Sequence, residues 1–207
     1  GNKNLAQHKN LIQNYIDNRN RDEIPIKIEF GYPLSWDFDE LSIVDSPGVN
    51  ALGGVQDITH KYLNNSNAVL FVQNIQQIEL KSFREFVETQ ISSAARDRKT
   101  LFLILTHAGL HSEETILSQT ETARDIYSDI IRPEQIISVD SLLKVILNDI
   151  QNGKTVKEIR SDTIKRRILA DYRDQAEDLE IELESLISDA SRFETMEEAI
   201  DKFAMDA

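Results

Sequence analysis

Two continuous apolar runs of strand length constrain the fold of this chain more than any other feature. Residues 68–72 read Ala-Val-Leu-Phe-Val and residues 101–105 read Leu-Phe-Leu-Ile-Leu, which is typical of strands buried on both faces of a sheet. The apolar residues between them recur at helical spacing; they are Leu80, Phe83, Phe86, Val87, Ile91 and Ala94. A helix between two buried strands predicts a parallel sheet with helices on its faces, joined by right-handed crossovers.

Strand and helix patterns alternate on both sides of these runs. In chain order, the patterns predict a helix at residues 5–16, strands at 24–30 and 41–44, a helix near 58–63, a helix at 116–130 and a short strand at 136–139. The first two strands suit an antiparallel hairpin at a sheet edge. The predicted fold class is therefore α/β, with a mostly parallel sheet flanked by helices.

The last quarter of the chain has a different pattern. Its apolar residues follow a heptad spacing and are Leu169, Tyr172, Ala176, Leu179, Leu183, Leu186, Ala190 and Phe193. This pattern predicts a long helix that packs on its own domain, joins a bundle or forms an intermolecular coiled coil. Met196, Ile200 and Phe203 begin a second phase, which indicates a bend or a new helix. We predict one domain at residues 1–150 and a helical segment at 151–207.

Composition excludes several functional classes. A net charge of −13 over 207 residues argues against nucleic-acid binding, because phosphate contacts need a basic surface. It also disfavours general attraction to anionic lipid, although a local basic patch could still act there. The absence of cysteine excludes disulfides and thiolate metal sites and favours a cytoplasmic setting. No run approaches 18 apolar residues and the chain starts without an export-signal pattern.

Residues 41–48, Leu-Ser-Ile-Val-Asp-Ser-Pro-Gly, contain the first candidate site. In an open α/β sheet, ligands bind beyond the carboxyl ends of the strands. Asp45 at such an end can hold a water of Mg²⁺, and the amide of Gly48, after the turn at Pro47, can approach a phosphate closely. The same residues also suit an ordinary turn, so the context must decide between a nucleotide switch and a simple loop.

The order of these elements resembles the GTPase domain of dynamin-like proteins, particularly the bacterial ones. The stretch at 44–48 and the Asn67-Ala68-Val69-Leu70-Phe71-Val72 strand carry the resemblance, which spans about residues 1–150. The helical tail is similar to the bundle or stalk that follows such domains. The resemblance implies that GTP and Mg²⁺ are ligands and that Asp45 contacts the Mg²⁺ ion through a water molecule. It also implies self-association, through the domain or the tail, and peripheral membrane contact.

Two motifs of that family are missing or altered. No glycine begins a Gly-x4-Gly-Lys-Ser/Thr phosphate loop, so we expect the chain to start downstream of it. In the family, the strand that feeds this loop lies between those predicted at 41–44 and 68–72. Without it both strands have an open apolar edge, and we expect a segment supplied from elsewhere or a rearranged sheet.

The base-reading motif of the family, Thr/Asn-Lys-x-Asp, corresponds here to Thr106-His107-Ala108-Gly109. The aspartate that accepts hydrogen bonds from guanine is therefore absent, although stacking and backbone contacts could still hold a purine near Thr106 and His107. A later base loop falls at Asp140, which caps the following helix equally well. His107 and His111 are four residues apart, but the glycine between them favours a loop over a metal pair.

Two functions from different classes follow. In the first, the chain is part of a dynamin-like GTPase that hydrolyses GTP to drive self-assembly and membrane remodelling, and is inactive by itself. In the second, it is a non-catalytic GTPase-like module that acts through its helical tail. An ATP-using relative is a third reading, since the guanine-reading aspartate is absent.

Overall fold

The computed structural model describes Val44, residues 65–94 and residues 97–206. In this part of the chain, β1 (Val69–Asn74), β2 (Leu101–Thr106) and β3 (Ile136–Ser138) form a parallel sheet in that order. The three strands predicted at 68–72, 101–105 and 136–139 are therefore confirmed, as is the α/β class. The elements predicted at 5–16, 24–30, 41–44 and 58–63 lie outside the described residues, apart from Val44.

Seven α-helices flank or follow the sheet in the described residues. They are α1 (Lys81–Ala94), α2 (Glu113–Tyr127), α3 (Ser141–Gln151), α4 (Val156–Ile159), α5 (Thr163–Leu179), α6 (Leu183–Ser191) and α7 (Phe193–Asp206). Side chains that accept hydrogen bonds from first-turn amides cap α2 to α5; they are Ser112, Asp140, Thr155 and Asp162. None of the helices among the described residues is long and apolar enough to span a membrane.

One face of the sheet is covered by α1 and α2. Phe71 of β1 meets Phe83 edge to face at 6.5 Å, and Phe83 meets Tyr127 at 6.1 Å. The Tyr127 hydroxyl is buried and donates to the carbonyl of Ile78 at 3.0 Å. Phe83 and Val87 of the stripe predicted for α1, and Ile116 and Ala123 of α2, lie in the main core. Leu80, predicted to begin the first stripe, precedes α1 and is 48% exposed.

The opposite face is covered by α7 over β2 and β3. Phe203 packs edge to face on Phe102 of β2 at 5.8 Å, and Ile104 and Ile137 lie in the same cluster. On β1 this face is open, because Leu70 is 43% and Val72 is 60% exposed. The prediction that residues 68–72 are buried on both faces is thus wrong for one face, because α7 packs on β2 and β3 and leaves Leu70 and Val72 exposed.

The predicted long helix is divided into α5 and α6, and the new helix predicted from the second phase at Met196 is confirmed as α7. Glu180 and Arg192, which follow α5 and α6, adopt left-handed conformations with φ of 55°. Leu169 of α5 and Ile187 of α6 belong to one cluster with Ile146 of α3. In a continuous helix these two side chains would lie about 27 Å apart, at 1.5 Å per residue. The break lets both pack on the same short helix.

The helical segment thus packs on its own chain, as one of the predicted alternatives had it. Ala176 and Ile187 are buried, whereas Leu179 of the heptad seam is 60% exposed because it lies at the break. A coiled coil is not confirmed. The domain boundary near residue 150 stays a prediction.

Asp149 joins α3 to the helical segment and gives a pH-dependent prediction. Its carboxylate accepts hydrogen bonds from Lys154 and from Lys165 of α5, the latter at 2.7 Å, and these bonds, that of Lys154 first, hold the pKa of the carboxyl below the ordinary value. A depressed pKa stabilises the fold above the unfolded-state value of about 4 and loses that contribution as the pH falls through the folded value.

We expect Asp149→Asn to lower the free energy of unfolding by about 1 kcal/mol at pH 7, because the pair is partly hydrated. Urea denaturation of both proteins from pH 7 to pH 3 measures the difference, which should shrink at the acid end. Asp125→Asn, at an exposed acid on α2, is the control and should change stability little at any pH. A pH-independent loss in the Asp149 variant would contradict this electrostatic account.

Candidate functional site

The carboxyl ends of the three strands meet at one edge of the sheet, as the parallel topology requires. The residues that follow β2 and β3 are joined by main-chain hydrogen bonds: the amide of Val139 donates to Leu105 at 2.7 Å, and that of Ala108 donates to Val139 at 3.3 Å. The two loops therefore form a single unit. It contains three predicted site residues, Thr106, His107 and Asp140.

Thr106 and His107 occupy the outer part of this edge. The Thr106 hydroxyl donates to the carbonyl of Gln73 at 3.2 Å and lies 3.0 Å from Nδ1 of His107. His107 has a left-handed backbone, with φ of 66° and ψ of 27°, and its side chain is exposed. The imidazole is thus available for stacking, while the hydroxyl ties β2 to the end of β1.

Asp140 lies at the centre of this edge and is only 4% exposed. One carboxylate oxygen accepts from the amide of Leu143 at 2.8 Å, and the other accepts from the amide of Gly109 at 3.1 Å. The capping role predicted as one alternative is therefore confirmed. A contact between Asp140 and a base stays a prediction, and it would require exchange of one of these hydrogen bonds.

Gly109 occupies the position where the family motif has aspartate. A Cβ atom there would lie 2.5 Å from Cδ1 of Leu143 and 3.1 Å from Cγ of Asp140, closer than ordinary contact distances. The space of a side chain is thus filled by two buried residues of α3 and its cap. This packing gives a physical reason for the absent aspartate.

Sequence reasoning missed the part that the helical segment takes in this edge. The hydroxyl of Tyr172 on α5 donates to the carbonyl of Gly109 at 3.3 Å. Burial raises the pKa of Tyr172, and the nearby charge of Asp140 raises it further. The amide of Asp140 donates to the carbonyl of Ser191, at the end of α6, at 2.9 Å. A tyrosine within a seam of leucines and alanines was the one sequence signal for this contact.

The remaining predicted site residues, Asp45, Pro47 and Gly48, lie outside the described residues. Val44, which precedes them, is 49% exposed. The structure thus brings Thr106, His107 and Asp140 together without describing their relation to the Mg²⁺-binding candidate. Among the described residues, no group of three or more His, Asp or Glu side chains could hold a metal.

The hydrogen bonds of the described edge bear on its use as a guanine site. Its central carboxylate, Asp140, already uses both oxygens for backbone amides. Gly109 offers no side chain, and its amide and carbonyl are bonded to Asp140 and Tyr172. The described residues of this edge therefore present no carboxylate that is ready to accept from guanine.

Comparison with known proteins gives the family. The sequence profile of the Dynamin family matches residues 2–108, slightly more than half of the chain. The matched region contains Asp45, Pro47 and Gly48, together with Thr106 and His107. No curated protein and no solved structure gave a significant match. By the extent of the profile match, the chain belongs to the dynamin family of GTPases.

Proposed function

We propose that this chain is part of an enzyme that binds GTP with Mg²⁺ and hydrolyses it to drive self-association and membrane remodelling at the cytoplasmic surface of a membrane. The family match across residues 2–108 is the observation that carries the proposal. The sequence of 207 residues contains no phosphate-loop motif. The chain by itself is therefore inactive in hydrolysis.

Asp45 and Gly48 have the chemistry for the phosphate side of such a site. A carboxylate is a preferred ligand for the hydrated shell of Mg²⁺, which keeps several of its waters in proteins. A glycine amide after a Pro-Gly turn can donate to a terminal phosphate without a Cβ in the way. When bound, Mg²⁺ neutralises charge on the phosphates. Asp45 would orient its waters, and Gly48 would distinguish the nucleotide states.

The contacts around Gly109 support a route from the nucleotide to the helical segment. The loop at residues 106–109 is bonded to Asp140 and to Tyr172 of α5, and Asp140 is bonded to the end of α6. A shift of this loop when a base binds beside His107 would therefore change hydrogen bonds on two helices of the segment. Local contacts of this kind can bias a larger movement.

A second candidate function is a non-catalytic interaction module. The packing at Gly109 favours it, because Leu143 and Asp140 fill the place of a guanine-reading side chain. In that case the helical segment, and not the nucleotide edge, determines what the protein binds. The two functions differ in whether the protein that contains this chain binds nucleotide at all.

Binding of fluorescent GTP, GDP and ATP analogues with Mg²⁺ tests the proposal. The measurement uses the longest natural form of the protein. We expect micromolar binding of the guanine nucleotides, and at least about tenfold weaker binding in Asp45→Ala, because about 1.4 kcal/mol corresponds to tenfold. Asp39→Ala is the matched control and should bind like the parent. If no guanine nucleotide binds to a form that has a phosphate loop, the enzyme proposal fails and the module remains.

A further inference from the structure

An acidic chain contains one strongly basic segment, residues 154–167, which we call the basic segment. It has six Lys or Arg against two Asp or Glu, a net charge of +4, whereas the whole chain carries −13. It covers α4, the first turn of α5 and the short connection between them. The charge of this surface is therefore opposite in sign to that of the chain.

Four cations of the basic segment point to solvent and have no anionic partner in the part of the chain that the structure describes. Lys157, Arg160, Arg166 and Arg167 are exposed and make no ion pair or side-chain hydrogen bond within the described residues, whereas Lys154 and Lys165 bind Asp149. Elsewhere in the described part of the chain, Arg132 and Lys202 are the only other exposed cations without an ion pair or a side-chain hydrogen bond. Unpaired cations are thus concentrated here.

The two acidic residues of the basic segment are engaged in helix caps. Glu158 accepts from the amide of Thr155 at 2.7 Å in a capping box, and Asp162 accepts from the amides of Ile164 and Lys165. Their oxygens are directed at backbone donors, so the cations are not neutralised from within. Among acids outside the segment, Asp171 lies one helical turn from Arg167 in α5. Acids beyond the Debye length, about 8 Å at physiological salt, act weakly on these cations.

Exposed aliphatic side chains lie among these cations. Val156 is 39% and Ile164 is 66% exposed. Arg160 caps the carboxyl end of α4, where its amide donates to the carbonyl of Val156 one turn earlier. Ile164 and Arg167 are three residues apart in α5, so the two members of each pair lie on neighbouring positions of one face. Cations that flank aliphatic side chains on an exposed helix face are the combination by which amphipathic helices bind an anionic bilayer.

We infer that the basic segment is a contact surface for anionic phospholipid. The cations complement the lipid headgroups, and Val156 and Ile164 enter the acyl boundary. A nucleic acid would complement the cations but not the exposed aliphatic side chains. The segment contains no aromatic side chain, and single strands are usually held by stacking on aromatic rings. This inference rests on the membrane part of the proposed function and names the surface that carries it.

Co-sedimentation of the 207-residue chain with vesicles tests the inference without nucleotide. We expect binding to phosphatidylcholine vesicles that contain about one third phosphatidylserine, no binding to phosphatidylcholine alone, and release at high salt. Arg160→Gln with Arg166→Gln should weaken the binding about 25-fold, since each cation near an anionic surface contributes about fivefold. Ile164→Ser should weaken it several-fold.

Matched controls separate the segment from general charge and apolar effects. Arg132→Gln with Lys202→Gln removes two unpaired cations outside the segment, and Leu179→Ser removes an aliphatic side chain that is 60% exposed. Both control proteins should bind the vesicles within about twofold of the parent. Circular dichroism should show that every variant is folded. Equal weakening in the controls, equal binding to neutral vesicles, or tighter binding to an oligonucleotide would each overturn the inference. Nucleotide binding is measured separately, so a failure here leaves the GTPase proposal intact.

Discussion

Asp140→Ala is expected to lower the free energy of unfolding by about 3 kcal/mol. Loss of a helix cap costs about 1 kcal/mol, and an amide left without a partner in a buried place costs about 1–3 kcal/mol more. Asp140 serves both functions, because it caps α3 through Leu143 and satisfies the amide of Gly109. Its backbone contact with Ser191 would remain, so the helical segment should stay attached and unfolding should remain cooperative.

Urea denaturation followed by circular dichroism measures this effect. Asp162→Ala is the matched control, since Asp162 caps α5 through the amides of Ile164 and Lys165 but is exposed. It should lose about 1 kcal/mol, the ordinary contribution of a cap. Equal losses in the two variants would mean that the contact with Gly109 contributes nothing. In that case Asp140 could leave its place to contact a base.

The sequence predicted the sheet well because the signal is local. A strand such as β2 is a continuous apolar run, and both of its faces are buried. The exposed face of β1 could not be predicted, because the cover of Leu70 and Val72 depends on where α7 packs. The break after α5 was missed for the same reason: the heptad spacing continues through it, and what divides the helix is packing of Leu169 and Ile187 on α3.

At the site, the sequence predicts the residue types, but it does not predict which hydrogen bonds they make. The altered motif at residues 106–109 is visible in the sequence, and so is a carboxylate at Asp140. That Asp140 bonds the amide of Gly109 involves residues 31 positions apart, and the contact of Tyr172 with the same glycine involves 63. No periodicity encodes contacts of that separation.

Gly109→Asp restores the aspartate of the family motif, yet we expect it to destabilise the protein by about 3 kcal/mol or more. A Cβ atom at this position lies 2.5 Å from Leu143 and 3.1 Å from Cγ of Asp140, and overpacking a buried site costs about 1–3 kcal/mol. A second carboxylate beside Asp140 adds like-charge repulsion. Gly109→Ala carries the overpacking alone and should lose about 1–2 kcal/mol.

The double variant Gly109→Asp with Asp140→Ala measures how far Asp140 itself opposes an aspartate at position 109, through both charge and crowding. Without Asp140 the new carboxylate gains room and loses its repelling neighbour, so the double variant should be more stable than the sum of the single losses by about 1 kcal/mol, as expected for residues in contact. Denaturation of all four proteins measures this coupling. Additive losses would show that Asp140 opposes the new side chain neither by repulsion nor by crowding. A Gly109→Asp variant as stable as the parent would contradict the close packing. In that event the site has room for an aspartate, and the variant should then prefer guanine over adenine nucleotides.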